Sequence, residues 1–138
     1  MEFMGATNTL HGRVERVGGE VAQVALRGGG LARGRAMASL APGAAVVLLV
    51  RAERLRLHAG ARADGLEGRI VRVARMGFVT HYDMRLAGGQ DVTAYRLDEA
   101  GEAGRPAAGM PVALDWEEAD ALVFPATAED AAGNGGPG

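Results

Sequence analysis

The residues that could carry chemistry in this sequence are few and far apart. His81 and Asp83 flank Tyr82, and residues two apart in a strand lie on the same face of a sheet. An imidazole and a carboxylate without a third ligand make a poor metal site. We therefore expect His81 to be a surface histidine beside a carboxylate, and we predict neither a catalytic residue nor a metal site in this chain.

Several reactive side chains are missing altogether. All fifteen basic residues are arginine, so the sequence has no lysine; it also has no cysteine, and Ser39 is its single serine. A phosphate-binding P-loop ends in lysine, and thiol chemistry needs cysteine. These absences predict that the chain neither binds nor hydrolyses ATP and that no cofactor is held in it.

Four residues remain as candidate ligand-binding positions. Polar or cationic side chains that follow a turn or lie on a strand can contact a small polar ligand, and each of these also has a structural interpretation, since Asn favours turns and the arginines lie in a repeated framework. The candidates are Asn8, Arg13, Arg69 and His81. The single tryptophan, Trp116, is expected to cap a barrel or fill an interface.

An internal repeat positions these residues. Residues 10–17 (Leu-His-Gly-Arg-Val-Glu-Arg-Val) return as residues 66–73 (Leu-Glu-Gly-Arg-Ile-Val-Arg-Val). Each copy continues into a strand-like run, a glycine turn (28–30 and 88–89), a loop with proline and glycine, and a last apolar run. Four matches in the same order indicate a duplicated unit.

The pattern within each copy is typical of short antiparallel strands. Residues 78–86 alternate, with Phe78, Tyr82, Met84 and Leu86 predicted on one face. The glycine turns predict hairpins, and no segment holds a helical stripe. We predict an all-β fold of two tandem OB-like five-stranded barrels, the first over residues 1–58 and the second over residues 59–125. Residues 58–65 are expected to form the linker between them, and residues 126–138 a disordered tail.

Charge is unevenly divided between the halves. Residues 1–58 carry eight arginines against four acids, net +4, whereas residues 59–138 carry seven against thirteen, net −6. The total of −2 disfavours nucleic acid as a partner, and no apolar run approaches the roughly 20 residues of a membrane-spanning helix. Opposite charges could attract a second copy, although most are expected to be solvated.

Three stretches resemble the C-terminal regulatory region of import-type ABC transporter ATP-binding subunits, which is built from TOBE domains. They are residues 3–14 (Phe-Met-Gly-Ala-Thr-Asn-Thr-Leu-His-Gly-Arg-Val), residues 40–57 with Pro42-Gly43, and residues 114–123 (Leu-Asp-Trp-Glu-Glu-Ala-Asp-Ala-Leu-Val). Ala52 stands where that family usually has proline. Within that family, these stretches resemble those of polyamine, iron and other small-solute importers.

The resemblance implies a regulatory and dimerisation region that lacks the nucleotide-binding domain, which in the parent subunit would bind ATP and Mg²⁺. Its implied partners are its own or a partner ATPase domain, a second copy, and indirectly the membrane permease, on the cytoplasmic face of the membrane. The alternative is a small-oxyanion-binding module of the molybdate-binding TOBE type, disfavoured by the shortage of Ser and Lys. An OB-type nucleic-acid binder is a weaker alternative still.

Overall fold

The chain folds into ten β-strands and two single-turn 3₁₀ helices in a computed structural model, which describes residues 6–60, 65–97 and 106–127. The strands of the first half are β1 (Thr7–Gly18), β2 (Val21–Leu26), β3 (Leu31–Ala36), β4 (Ala45–Arg51) and β5 (Arg56–Ala59). Those of the second half are β6 (Leu66–Met76), β7 (Val79–Leu86), β8 (Asp91–Leu97), β9 (Pro111–Asp115) and β10 (Ala121–Pro125). The 3₁₀ helices span Ala52–Arg54 and Glu118–Asp120.

The strands form one closed barrel and one open sheet. The barrel has the order β1-β2-β3-β10-β4 and closes where β4 pairs with β1; the open sheet has the order β5-β9-β6-β7-β8. All pairings are antiparallel except the short parallel pairing of β10 with β3. The prediction of an all-β fold with tandem OB-like units is confirmed.

The last strand of each repeat lies in the sheet of the other repeat. β5 pairs with β9 in the open sheet, and β10 pairs with β3 and β4 in the barrel. The sequence boundary between residues 58 and 59 therefore does not separate the two sheets, because period-2 alternation specifies which face a residue occupies and not which strand it pairs with.

Two local expectations are corrected. Phe78 lies in the turn before β7 with 84% of its surface exposed, whereas Thr80, Tyr82, Met84 and Leu86 are buried. His58 lies within β5, so the linker begins later than residue 58; residues 61–64 of that linker are outside the described residues.

At the start of the expected tail, Ala126 still donates its N–H to the Ala45 carbonyl at 2.9 Å. Residues 128–138 of the expected tail are outside the described residues.

One hydrophobic core serves both sheets. Fully buried side chains from the barrel and from the open sheet belong to a single contiguous cluster. Its largest fully buried side chains are Leu10, Leu48, Ile70, Met84 and Leu114. Because strands are exchanged and the core is continuous, the two repeats form one folding unit.

Candidate functional site: two related grooves at the repeat junction

The two glycine turns, which occupy equivalent positions in the two repeats, touch each other. A Cβ built on Gly28 would lie 2.0 Å from the Gly88 carbonyl oxygen, and a Cβ on Gly88 would lie 2.8 Å from the Gly28 carbonyl carbon. Any side chain at Gly28 would collide with backbone, and its φ of +89° is also unfavourable for residues with a Cβ. Glycine at this position is therefore needed for the repeats to meet.

The two turns have matching hydrogen bonds. Leu26 N–H donates to the Gly30 carbonyl at 2.9 Å, and Leu86 N–H donates to the Gln90 carbonyl at 2.8 Å. Beyond each turn the pairing also matches: Arg27 N–H reaches the His11 carbonyl and Ala87 N–H reaches the Glu67 carbonyl, both at 2.9 Å. Position 90 in the second repeat therefore corresponds to position 30 in the first.

Two grooves flank this contact, and their lining residues include equivalent positions of the two repeats. The first, which we call the Gln90 groove, has a volume of about 360 Å³; the second, the Gly30 groove, has a volume of about 550 Å³. The Gln90 groove is lined by Thr9, His11, Arg27, Gly88, Gly89, Gln90 and Asp91. The Gly30 groove is lined by Gly28, Gly29, Gly30, Leu31, Gly65, Leu66, Glu67, Leu86, Ala87 and Gly88.

The Gln90 side chain fills its groove by hydrogen bonding to the opposite repeat. Its Oε1 accepts from His11 N–H at 2.9 Å, and its Nε2 donates to the carbonyls of His11 and Arg27 at 3.0 and 3.3 Å. The carboxamide thus continues the β1–β2 ladder, whose last pair is Gly12 with Leu26. Sequence analysis missed Gln90. The available signal was the alignment of the two turns, in which the second repeat has glutamine at the position where the first has Gly30.

Arg13 and Arg69 make equivalent contacts in the two repeats. Arg13 Nη1 donates to the Gly43 carbonyl at 2.9 Å, and Arg69 Nη1 donates to the Gly109 carbonyl at 2.6 Å. Each guanidinium thereby fixes the proline- and glycine-containing loop that precedes β4 or β9. Both positions support the framework interpretation, and a ligand-binding role for them stays a prediction.

Asn8 joins the barrel to the open sheet. Its side chain is buried, its Nδ2 donates to the Thr93 carbonyl at 2.9 Å, and its Oδ1 accepts from Thr93 N–H at 2.7 Å. The amide therefore mimics one step of a strand ladder between β1 and β8. Trp116 makes a second connection, donating its Nε1–H to the Arg33 carbonyl at 2.9 Å, and so fills an interface between the sheets.

His81 lies on the outer face of β7. Its ring stacks on Tyr95, with centroids 3.9 Å apart. Asp83 on the same face accepts from Thr93 Oγ1 and from Arg72, each at 2.8 Å. Burial raises the pKa of Asp83, but the Thr93 and Arg72 hydrogen bonds and the nearby positive charge outweigh it, so the pKa is lowered overall.

The four predicted ligand-binding residues thus occupy separate places instead of one cavity. Asn8 lies at the β1–β8 junction, His81 on an outer face, and the two arginines at equivalent loops. Among the residues that the structure describes, no three His, Asp or Glu side chains are grouped so as to hold a metal ion. In the same residues, no helix is both long and apolar enough to cross a membrane.

A family model for the TOBE domain matches residues 48–124, more than half of the chain. The chain belongs to the TOBE domain family. The matched stretch runs from within β4 to within β10, so it includes all of the open sheet and most of two strands of the barrel.

Two relatives are named spermidine/putrescine import ATP-binding protein PotA. The protein from Pseudomonas aeruginosa strain UCBPP-PA14 is 36% identical over 93 residues, covering 64% of this chain and 26% of the relative. The protein from Rubrobacter xylanophilus is 32% identical over 126 residues, covering 89% of this chain and 33% of the relative. The chain therefore spans about a quarter to a third of these relatives, and the similarity is to the TOBE region of an ABC importer subunit.

A similar fold occurs in a solved structure of the cytoplasmic molybdate-binding protein ModG with molybdate bound. The two align with a TM-score of 0.72 and 19% identity, covering 89% of this chain and 98% of that chain. At this identity the likeness establishes the shared tandem fold and nothing about the ligand.

Proposed function

We propose that this chain is the regulatory and dimerisation region of an ABC-type importer's ATP-binding subunit. The observation that carries the proposal is the 32% identity over 126 residues to such a subunit, which extends across nearly the whole chain. In this role the parent subunit's nucleotide-binding domain binds ATP and Mg²⁺, and this chain supplies none of the reacting groups. The parent lies on the cytoplasmic face of the membrane through its permease partners.

The rigidity of the fold suits this role. A region that holds two subunits together while their ATPase domains close and reopen must keep its own shape. The exchanged strands β5 and β10, the Asn8–Thr93 bonds and the Gly28–Gly88 contact all join one repeat to the other. Movement of one repeat relative to the other would break them together, so the region acts as a single body.

A surface that a second copy could cover lies at the tip of the β6–β7 hairpin. Three large apolar side chains are exposed there and on the neighbouring end of β8: Met76 by 57%, Phe78 by 84% and Leu97 by 72%. Val79 pairs with both Met76 and Leu97 across the strands, which places these two side chains on one face of the sheet, and Phe78 precedes Val79 at the tip of the hairpin. Contiguous exposed apolar side chains are typical of association surfaces.

Sedimentation equilibrium tests the proposal. We expect the chain to self-associate at protein concentrations of up to about 1 mM, where weak complexes form. The Phe78→Ser variant is expected to lose at least part of this self-association. Leu31→Ser is the matched control, because Leu31 is also exposed, by 53%, but lies in β3. Weaker association at high salt indicates that the opposite charges of the two halves contribute, and a strict monomer in all conditions contradicts the dimerisation role.

A second candidate function is the binding of a small oxyanion, favoured by the fold shared with ModG. The exposed guanidinium of Arg69 lies beside the groove formed by Glu67, Gly68, Val71, Arg85 and Pro111, and arginine is well suited to oxyanions. Calorimetric titration with molybdate, and with sulfate for comparison, tests it. Saturable heat that disappears in Arg69→Gln supports this function, whereas the absence of heat, or heat that persists in Arg69→Gln, contradicts binding at this place.

A further inference from the structure

The two grooves at the repeat junction are lined by equivalent positions of the two repeats, but only the Gln90 groove receives a polar side chain from the facing turn; in the Gly30 groove, Leu66 Cδ2 lies 3.0 Å from where a Cβ of residue 30 would be. In the Gln90 groove a primary carboxamide satisfies one backbone N–H and two backbone carbonyls of the opposite repeat. The corresponding position in the other groove is Gly30, which has no side chain to offer. The difference agrees with the volumes, about 360 Å³ for the Gln90 groove and about 550 Å³ for the Gly30 groove.

The backbone groups that meet Gln90 have counterparts in the Gly30 groove. Gly68 and Leu86 form the last pair of the β6–β7 ladder, as Gly12 and Leu26 do for β1–β2. Next to that pair, at the end of the ladder nearest the glycine turn, Ala87 N–H donates to the Glu67 carbonyl. The same bond in the first repeat runs from Arg27 N–H to the His11 carbonyl. By this correspondence we assign the Glu67 N–H and the Glu67 and Ala87 carbonyls as the groups that face the Gly30 groove, whose lining includes both residues.

We propose that the Gly30 groove is a binding site for a ligand that ends in a primary carboxamide. Its oxygen accepts from Glu67 N–H, and its NH₂ group donates to the carbonyls of Glu67 and Ala87. A carboxylate has the acceptor but no donor, and an ammonium has the donors but no acceptor. Leu66 and Leu86 flank these polar groups and contact the apolar part of the ligand. The site does not depend on the transport role proposed above.

Propionamide is the probe, because it has the same heavy atoms as a glutamine side chain beyond the Cα. In a ¹⁵N-resolved NMR titration of the full chain we expect saturable shifts of the Glu67 amide, in the millimolar range for so small a ligand. Propionate and N,N-dimethylpropionamide lack the NH₂ donor and are expected to leave this amide unchanged. The measurement reads a backbone amide, so it is independent of oligomeric state.

Gln90→Gly supplies the internal standard, because it empties the Gln90 groove. In this variant propionamide is expected to shift the His11 amide as well as that of Glu67. A shift at His11 with none at Glu67 overturns the proposal, as does an equal response of Glu67 to propionate. If Gln90→Gly does not fold, the wild-type titration decides alone: no saturable shift at Glu67 overturns the site.

Discussion

The barrel and the open sheet are built from the same strand pattern, which occurs once in each repeat. They differ in whether their edge strands are paired. In the barrel, β10 lies between β3 and β4 and leaves no free edge, whereas in the open sheet β5 and β8 are the end strands. Across β8 lie the helix Ala52–Arg54 and the side chain of Asn8 instead of another strand. The same strand pattern can therefore give a closed or an open sheet, depending on what the rest of the chain places at the edge.

The equivalent leucines Leu10 and Leu66 give the largest expected difference between the two units. Leu10 is fully buried, whereas Leu66 only packs partly against the core. We expect Leu10→Ala to lower the free energy of unfolding by about 3–5 kcal/mol, the usual cost of a buried cavity, and Leu66→Ala by about 1–2 kcal/mol. Urea unfolding of both variants measures this; equal losses would contradict the assigned asymmetry.

The closure of the barrel is tested at Gly34, which corresponds to Ala94 in the open sheet. A Cβ on Gly34 would lie 2.8 Å from the Ala121 carbonyl oxygen and 3.0 Å from Val123 Cγ2, both in β10. Gly34→Ala is expected to push β10 away from β3 and cost about 1–3 kcal/mol, as overpacking does. Ala94→Gly removes a Cβ at the equivalent position instead of adding one, and is expected to cost about 1 kcal/mol.

Fluorescence of the single tryptophan reports whether β10 is displaced from β3. Trp116 is hydrogen-bonded to the Arg33 carbonyl, next to Gly34, so displacement of β10 changes its emission. We expect a shift of the emission maximum in folded Gly34→Ala and none in Ala94→Gly. An unchanged spectrum together with unchanged stability in Gly34→Ala would contradict the expected clash between residue 34 and β10.

Asp83 gives the smallest expected effect, which is confined to the open sheet. Its folded-state pKa is lowered, so its contribution to stability is present above the unfolded pKa of about 3.9 and is lost as the pH falls through the folded value. Because the carboxylate is partly exposed, we expect Asp83→Asn to cost only about 0.5 kcal/mol at neutral pH. In acid-dependent unfolding, the difference from wild type should shrink as the pH falls below the unfolded pKa and vanish once the folded carboxyl is protonated.

Asp91→Asn is the control for that measurement. Asp91 pairs with Arg85, and both side chains are more than 60% exposed, so it should change stability less than Asp83→Asn. A wild-type minus Asp83→Asn difference that persists at low pH would contradict the role assigned to the ionised carboxylate.

The repeated motif and the glycine turns made the strands of both units predictable. Residues 10–17 and 66–73 became β1 and β6, and both glycine turns connect antiparallel hairpins as predicted. The start of β7 was less predictable, because the alternation extends back to Phe78, which lies in the preceding turn. Exchange of β5 and β10 could not be predicted, since the choice of partner strand depends on the assembled core and not on any local pattern.

The candidate site shows the same division between local and long-range information. Asn8 is a good turn former by type, yet it bridges two sheets through a residue 85 positions away. Gln90 bonds to His11, 79 positions away, and its importance follows only from the alignment of the two turns. Such contacts arise from how the repeats meet, which single-residue preferences do not encode.

The position of β10 also sets the order in which the molecule can be completed during synthesis. The barrel begins at Thr7, but the strand between β3 and β4 ends at Pro125. Leu122 must find Arg35 across most of the chain, and contacts so distant in sequence form slowly. During synthesis on the ribosome, β3 and β4 therefore lack their partner strand until β10 has been made. The barrel, whose first strand precedes the open sheet in the sequence, can close only after the strands of the open sheet have been synthesised.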